Sequence, residues 1–404
     1  MTHALAELLP ILSQPENELL LRCARVQPNP ESIARIKSIV ASSPDWTTIT
    51  RQAGAHKLAP LLYSNLSAHC SSDTPPDIML ELQRHFKTNS QRSTLFGIEL
   101  NRLSEAFDTR QVPVLSFKGP ALAVAAYHNM ALRRCDDLDF FVRETDMAKA
   151  INVLASLGYE RFEPDGTELM TSLRYHVALL HPQTKILVEV HWKLAPPYFY
   201  FPLHFEEVWS RTGSVPMLGR PTPIFAPDDL LPCLAVHGAK HNWRVLNWVC
   251  DVAELVDESH HIDWHQLLRR AEALHCKRML LLSLALADQL LGAQLSTEIQ
   301  DAIRADRYIA ILLRQVCAWI FAPPSEQVDF ERYAFQIKVR DRLADKVLYI
   351  KIKQPMLDPN AASPESLPVP DFDQPLYYAL RFIRWLRLWW YRPLRRFLSH
   401  AMRG

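Results

Sequence analysis

Hydrophobic positions along the chain follow two different periods. Up to about residue 110 they recur three and four residues apart, the spacing of helices with one buried face. Segments 4–12, 16–26, 30–40, 46–66 and 76–109 fit this pattern, the last as one long helix or a pair. Leu80, Leu82, Phe86, Leu95, Ile98, Leu103 and Phe107 are its expected buried stripe. The period then shortens. Residues 112–117, 136–142, 176–180 and 185–191 are short, apolar and β-prone, and helix-like stretches at 121–127 and 144–157 lie between them. Gly158 is the expected C-cap of the second stretch. From residue 227 the helical spacing returns, over 228–240, 247–257, 264–274, 277–291, 299–322 and 333–353. These patterns predict an α+β fold that is predominantly helical, with a small mixed β-sheet core flanked by helical regions. The expected divisions are 1–110 (helical), 111–225 (the α/β core), 226–353 (helical), a Pro-, Ser- and Asp-rich linker at 354–375, and 376–404.

Composition removes several alternatives. Of 404 residues, 48% are hydrophobic and 22% charged, which is globular and argues against wholesale disorder. The net charge of +1 gives the whole molecule no electrostatic reason to bind nucleic acid. Seven scattered cysteines without a C-x-x-C pair predict buried free thiols rather than a zinc knuckle or disulfide framework. No basic segment followed by an apolar run marks a secretory leader, and no uncharged apolar run reaches membrane-spanning length. The expected location is therefore cytoplasmic. One segment qualifies this. Residues 376–404 carry seven arginines, eight aromatics and no acid, with Arg381, Arg384 and Arg387 in a helical stripe. Such a helix suits either peripheral contact with an anionic membrane surface, at its inner face, or docking on the protein body. Nucleic acid is the weaker alternative.

The chemistry centres on Asp137-Leu138-Asp139. On a strand, residues i and i+2 project from one face, so both carboxylates can share a divalent ion; a solvated acidic strand face is the alternative. Upstream, Lys118-Gly119 stands between a strand and a helix, where backbone amides and the helix N-terminus favour phosphate. An ordinary turn with a lysine is the other reading. Downstream, Glu189 lies in an apolar strand, with Leu187 and His191 on its face. It is either a third metal-facing acid or an acid paired with an arginine. His237, Lys240 and His241 share one face of a helix. They could face a cleft, bind zinc as a His pair lacking an obvious third ligand, or form a polar helix face with Trp243 and Trp248 in the core. Arg133 and Arg134 could orient phosphate or pair with the aspartates.

Together these residues carry a resemblance. Lys118-Gly119, Arg133, Asp137-Leu138-Asp139-Phe140-Phe141-Val142, Asp146, Ala150 and Gly158-Tyr159 are followed in order by Glu189-Val190-His191-Trp192. Leu230-Leu231, His237 through Trp243, Trp248 and Asp251 come next. This series resembles an uncharacterised bacterial nucleotidyltransferase family of the DNA polymerase β-like superfamily, over most of residues 110–290. The resemblance implies a polymerase β-like core at 111–225 that transfers a nucleoside monophosphate from an NTP, such as ATP. The hydroxyl acceptor is unidentified (a small molecule, glycan or protein), and pyrophosphate is released. It implies Asp137, Asp139 and Glu189 as catalytic metal ligands for Mg²⁺, or Mn²⁺. Lys118, Gly119, Arg133, Lys240 and His237 would contact the nucleotide, with Glu189 helping to deprotonate the acceptor. Pro120 departs from the superfamily's Gly-Ser turn and removes one amide donor. The alternatives are a scaffold that kept the fold without the activity, and an enzyme that nucleotidylates a protein.

Overall fold

The change of period at residue 110 is the boundary between a helical layer and a sheet. The computed structural model describes residues 9–162, 174–258, 262–322 and 329–357, and the chain divides into two compact units, 1–346 and 347–404. The expected linker at 354–375 (beyond residue 357) and the basic segment 376–404 lie outside the described residues, as does any membrane contact they would make.

Helices α1 (Pro15–Arg22), α2 (Pro30–Ala41), α3 (Trp46–Ala55) and α4 (Ala59–His69) build a small core of their own around Leu19, Ile36, Ile49 and Leu62. Their starts are set by local chemistry. Asn29 and Asp45 accept hydrogen bonds from the Ser32 and Thr48 amides, and Pro30 occupies a first-turn position where its missing N–H costs nothing. Next comes α5 (Pro76–Thr109), one continuous helix of 34 residues, about 51 Å long at 1.5 Å per residue. Its buried face runs through Asn89, Ser93, Phe96, Leu100, Leu103 and Phe107, in steps of three and four. The expected stripe is corrected here: Leu80, Leu95 and Ile98 are exposed. Polar residues replace them because specific partners exist. Asn89 donates to the Ala131 carbonyl at 2.7 Å, and Glu99 accepts from the Tyr159 hydroxyl at 2.6 Å.

The sheet has seven strands: β1 (Leu115–Ser116), β2 (Asp137–Phe141), β3 (Glu160–Arg161), β4 (His176–Leu180), β5 (Leu187–His191), β6 (Gly213–Met217) and β7 (Arg220–Ile224). Their spatial order is β3-β4-β5-β2-β1-β7-β6. The β2–β5 and β1–β7 pairs are parallel and the rest antiparallel, so the sheet is mixed. The fold is α+β and predominantly helical, with most of the described residues in helices. Three strands escape the periodicity. β3 has two residues, too few to show a period, and the β6–β7 hairpin carries Pro216, Pro221 and Pro223.

Helices α6 (Gly119–Tyr127) and α7 (Met147–Ser156) join the early strands. Helices α8 (Pro227–Lys240), α9 (Leu246–Glu258), α10 (Trp264–Ala273) and α11 (Lys277–Leu291) follow the sheet. One contiguous apolar core joins Leu138, Phe140, Val188 and Val190 of the sheet to Leu234, Val249 and Leu284 of these helices. All seven cysteines are free and buried, as expected. Among the described residues no helix is long and apolar enough to cross a membrane.

Candidate active site

Register decides which side chains meet. Across the parallel β2–β5 pair, Asp137 lies opposite Leu187, Asp139 opposite Glu189 and Phe141 opposite His191. Alternation therefore puts Asp137, Asp139, Glu189 and His191 on one face, while Leu138, Phe140, Val188 and Val190 enter the core on the other. Oxygen atoms of Asp137, Asp139 and Glu189 all lie within 4.8 Å of one another. Between β4 and β5, His176 is opposite His191, and the two rings stack with centroids 4.9 Å apart. His191 Nε2 is 3.0 Å from Asp139 Oδ1 and 3.0 Å from Glu189 Oε2.

The turn after β1 closes over this face. Gly119 has φ +59°, and a Cβ there would stand 3.3 Å from the Asp137 carbonyl oxygen. Glycine is therefore needed both for the left-handed backbone and for the close approach of the turn to the acid strand. Lys118 Nζ reaches Asp139 Oδ1 at 3.3 Å. Arg133 supports the turn from below. It is buried and makes a bidentate pair with Asp251 of α9 at 2.7 and 2.9 Å, and its Nη1 donates to the Gly119 carbonyl at 3.4 Å. Asp251 also accepts from the Tyr127 hydroxyl at 2.8 Å. The Arg133 guanidinium thus links Asp251 to the Gly119 turn. Arg134 pairs with Asp136, which also takes Lys57.

A third group comes from the end of α8. Lys240 Nζ donates to the Tyr175 hydroxyl at 3.1 Å and sits over the Tyr175 ring. His237, His241 and Trp248 form a three-ring cluster, with centroids 4.8 to 5.3 Å apart. Trp243 is buried against Gly238, where no Cβ would fit, whereas Trp248 stays half-buried beside the histidines.

The electrostatics follow from burial and close charges. Burial pushes Asp137 up to about 7, and the Asp139 charge adds to the rise. Burial acts the same way on Asp139, but Lys118 and the His191 hydrogen bond outweigh it and hold that carboxyl below the usual range. Glu189, also buried, is held low by His191. Burial lowers His237 well below its ordinary value, and the Lys118 and Lys240 charges lower it further, so it is neutral at pH 7. Burial and the Lys118 charge bring Lys240 down to about 8. Three carboxylates crowded this closely repel one another. Asp139 Oδ2 is buried without a hydrogen-bond partner among the described residues. An all-oxygen donor set with an unpartnered buried oxygen fits a divalent cation such as Mg²⁺.

The family model described as an uncharacterised nucleotidyltransferase matches residues 42–292, well over half of the chain. The chain belongs to this nucleotidyltransferase family. A search of curated proteins finds no match. In the nucleotidyltransferase chain, the structure brings Asp137, Asp139, Glu189 and Lys118 together on one sheet face, with the Gly119 turn packed against Asp137. Lys240 adjoins the same face through Tyr175, whose ring centroid is 6.0 Å from that of His191. Sequence reasoning put His191 beside Glu189 but gave it no role, and missed Tyr175 and His176. His176 comes to the site only through the β4–β5 register, for which the sequence offers no local signal.

Proposed function

We propose that this nucleotidyltransferase moves a nucleoside monophosphate from an NTP to a hydroxyl acceptor and releases pyrophosphate, with Mg²⁺ or Mn²⁺ held by Asp137, Asp139 and Glu189. The observation that carries this reading is the convergence of those three carboxylates beside Lys118 and the positive-φ Gly119 turn that opens α6. The bound cation would neutralise triphosphate charge and align the entering and leaving oxygens.

The chain's own residues do the rest. The first turn of α6 offers backbone amides to phosphate, although Pro120 removes one donor. Lys118 and Lys240 therefore take more of the charge that collects on the departing pyrophosphate. Neutral His237, with His241 and Trp248, offers ring faces and a hydrogen-bonding nitrogen to the nucleotide. Glu189 takes the proton of the acceptor hydroxyl, whose oxygen bonds to the α-phosphorus as the α–β bridging P–O bond breaks.

The test uses α-labelled NTPs, one base at a time, incubated with Mg²⁺ and a cell extract as the source of acceptor. Asp137→Asn and Asp139→Asn should lower label transfer by roughly 10²–10³-fold, the scale for loss of one preorganised electrostatic contact. Far-UV circular dichroism should be unchanged. Undiminished transfer in both variants would overturn the reading.

A further inference from the structure

Glu189 faces more than the two aspartates. His176 Nε2 is 3.7 Å from Glu189 Oε1, and His191 Nε2, which also faces Asp139, is 3.0 Å from Glu189 Oε2. The two imidazoles thus flank one carboxylate, and ligand atoms of all three residues lie within 4.8 Å of one another. Their rings are nearly parallel, 22° apart, because the residues are direct cross-strand neighbours on β4 and β5.

A second feature points the same way. His176 Nδ1 and His191 Nδ1 are both buried without a hydrogen-bond partner among the described residues, and His191 as a whole is only 3% exposed. Two imidazoles in a sheet normally have their outer nitrogens fixed by carbonyls or carboxylates, which choose the tautomer. Here no partner fixes either Nδ1, while His191 Nε2 faces the Asp139 and Glu189 oxygens at 3.0 Å. A cation taking the place of the proton between them would leave the ring's N–H on Nδ1, and His176 can carry its proton the same way. Apolar side chains would fill the same space without burying unpartnered nitrogens, so packing alone does not account for this pair.

We propose that His176, Glu189 and His191 form a second cation position, selective for a first-row transition ion, adjoining the all-oxygen position of Asp137, Asp139 and Glu189. Two imidazoles and one carboxylate suit zinc- or manganese-type cations, whereas Mg²⁺ keeps to oxygen ligands. Glu189 is common to both groups. The inference deepens the proposed function by setting the metal preference of its site, and rests on it only through that shared residue.

Co²⁺ is the probe, added to the metal-free full chain with no nucleotide present. Its visible absorption reports nitrogen ligation. Wild type should bind Co²⁺ with a nitrogen-ligated spectrum, and His176→Gln should lose that spectrum and weaken binding by about 10-fold or more. Asp137→Asn, which touches only the oxygen position, should keep it. Proton NMR of Co²⁺-loaded wild type needs no variant and should show two shifted, exchangeable imidazole N–H signals, one from each Nδ1. A spectrum that survives in His176→Gln, or the absence of such N–H signals in wild type, overturns the proposal. Because no NTP is involved, a failure of nucleotidyl transfer would leave the Co²⁺ result standing, and the reverse also holds.

Discussion

Asp139 and Glu189 face each other across the parallel strands β2 and β5, and a single nitrogen, His191 Nε2, lies 3.0 Å from an oxygen of each. This relationship gives the site its character. One buried imidazole holds two carboxylates of different strands at fixed separation. Asp137, two residues earlier on β2, brings the third oxygen to the cluster. Lys118 approaches from the turn above, so the carboxylates are prepared for a cation while their repulsion is partly offset.

The Gly119 turn should tolerate no side chain. In Gly119→Ala a Cβ would meet the Asp137 carbonyl at 3.3 Å, in a backbone conformation that L-residues adopt at a cost of about 1–2 kcal/mol. Urea denaturation should show a loss of that order. Transfer activity should fall further than stability does, since the clash moves the acid strand itself. An alanine variant with wild-type activity would show that the turn does not position Asp137.

Arg133 and Asp251 form a buried pair whose loss leaves an uncompensated charge. Arg133→Ala should destabilise the fold by about 3–5 kcal/mol, whereas Lys118→Ala, nearer solvent, should cost less. The measurement is chemical denaturation of both variants beside wild type. If Lys118→Ala proves the more destabilising of the two, the assignment of Arg133 as the brace is wrong.

Lys240 should set the alkaline limb of activity. Its pKa is brought down to about 8, so its charge is present below that pH and lost as pH rises through it. The quantity kcat/KM for NTP reports the free enzyme and should decline above about pH 8. Lys240→Arg keeps its charge to far higher pH and should remove the decline. The same limb in that variant would exclude Lys240 as the titrating group.

His56 should make the protein acid-sensitive. It is buried, its Nδ1 accepts from the Leu246 amide at 3.4 Å, and burial lowers its pKa from 6.5 to about 4. A depressed folded-state value means that the unfolded chain binds the proton first. The stability present above pH 6.5 is therefore lost as pH falls towards 4, by up to about 3 kcal/mol at 1.36 kcal/mol per pH unit. Thermal melts across pH 4 to 7 should show this slope, and His56→Gln should flatten it.

Much of the fold and the Asp137–Asp139 pair was legible because local rules govern them. Period-2 alternation placed Asp137 with Asp139 and Glu189 with His191, and helical spacing marked the flanks. What local pattern cannot carry is register between segments distant in sequence. Leu80, Leu95 and Ile98 were expected to be buried because apolar residues usually are. The long helix instead turned Asn89, Ser93 and Glu99 inward, where the Ala131 carbonyl and Tyr159 meet two of them.

The sequence by itself determined the alternation of helix and strand, the two acids on one strand face, and the glycine at the turn, since each depends on bonds within a few residues. Only the tertiary structure decided that Glu189 would lie beside Asp139, that His176 would stack on His191, and that Arg133 would pair with Asp251. The physical reason is that strand register and buried ion pairing are settled by the packing of the whole sheet and its helices. A one-residue slip of β5 would turn Glu189 into the core and leave every local signal unchanged.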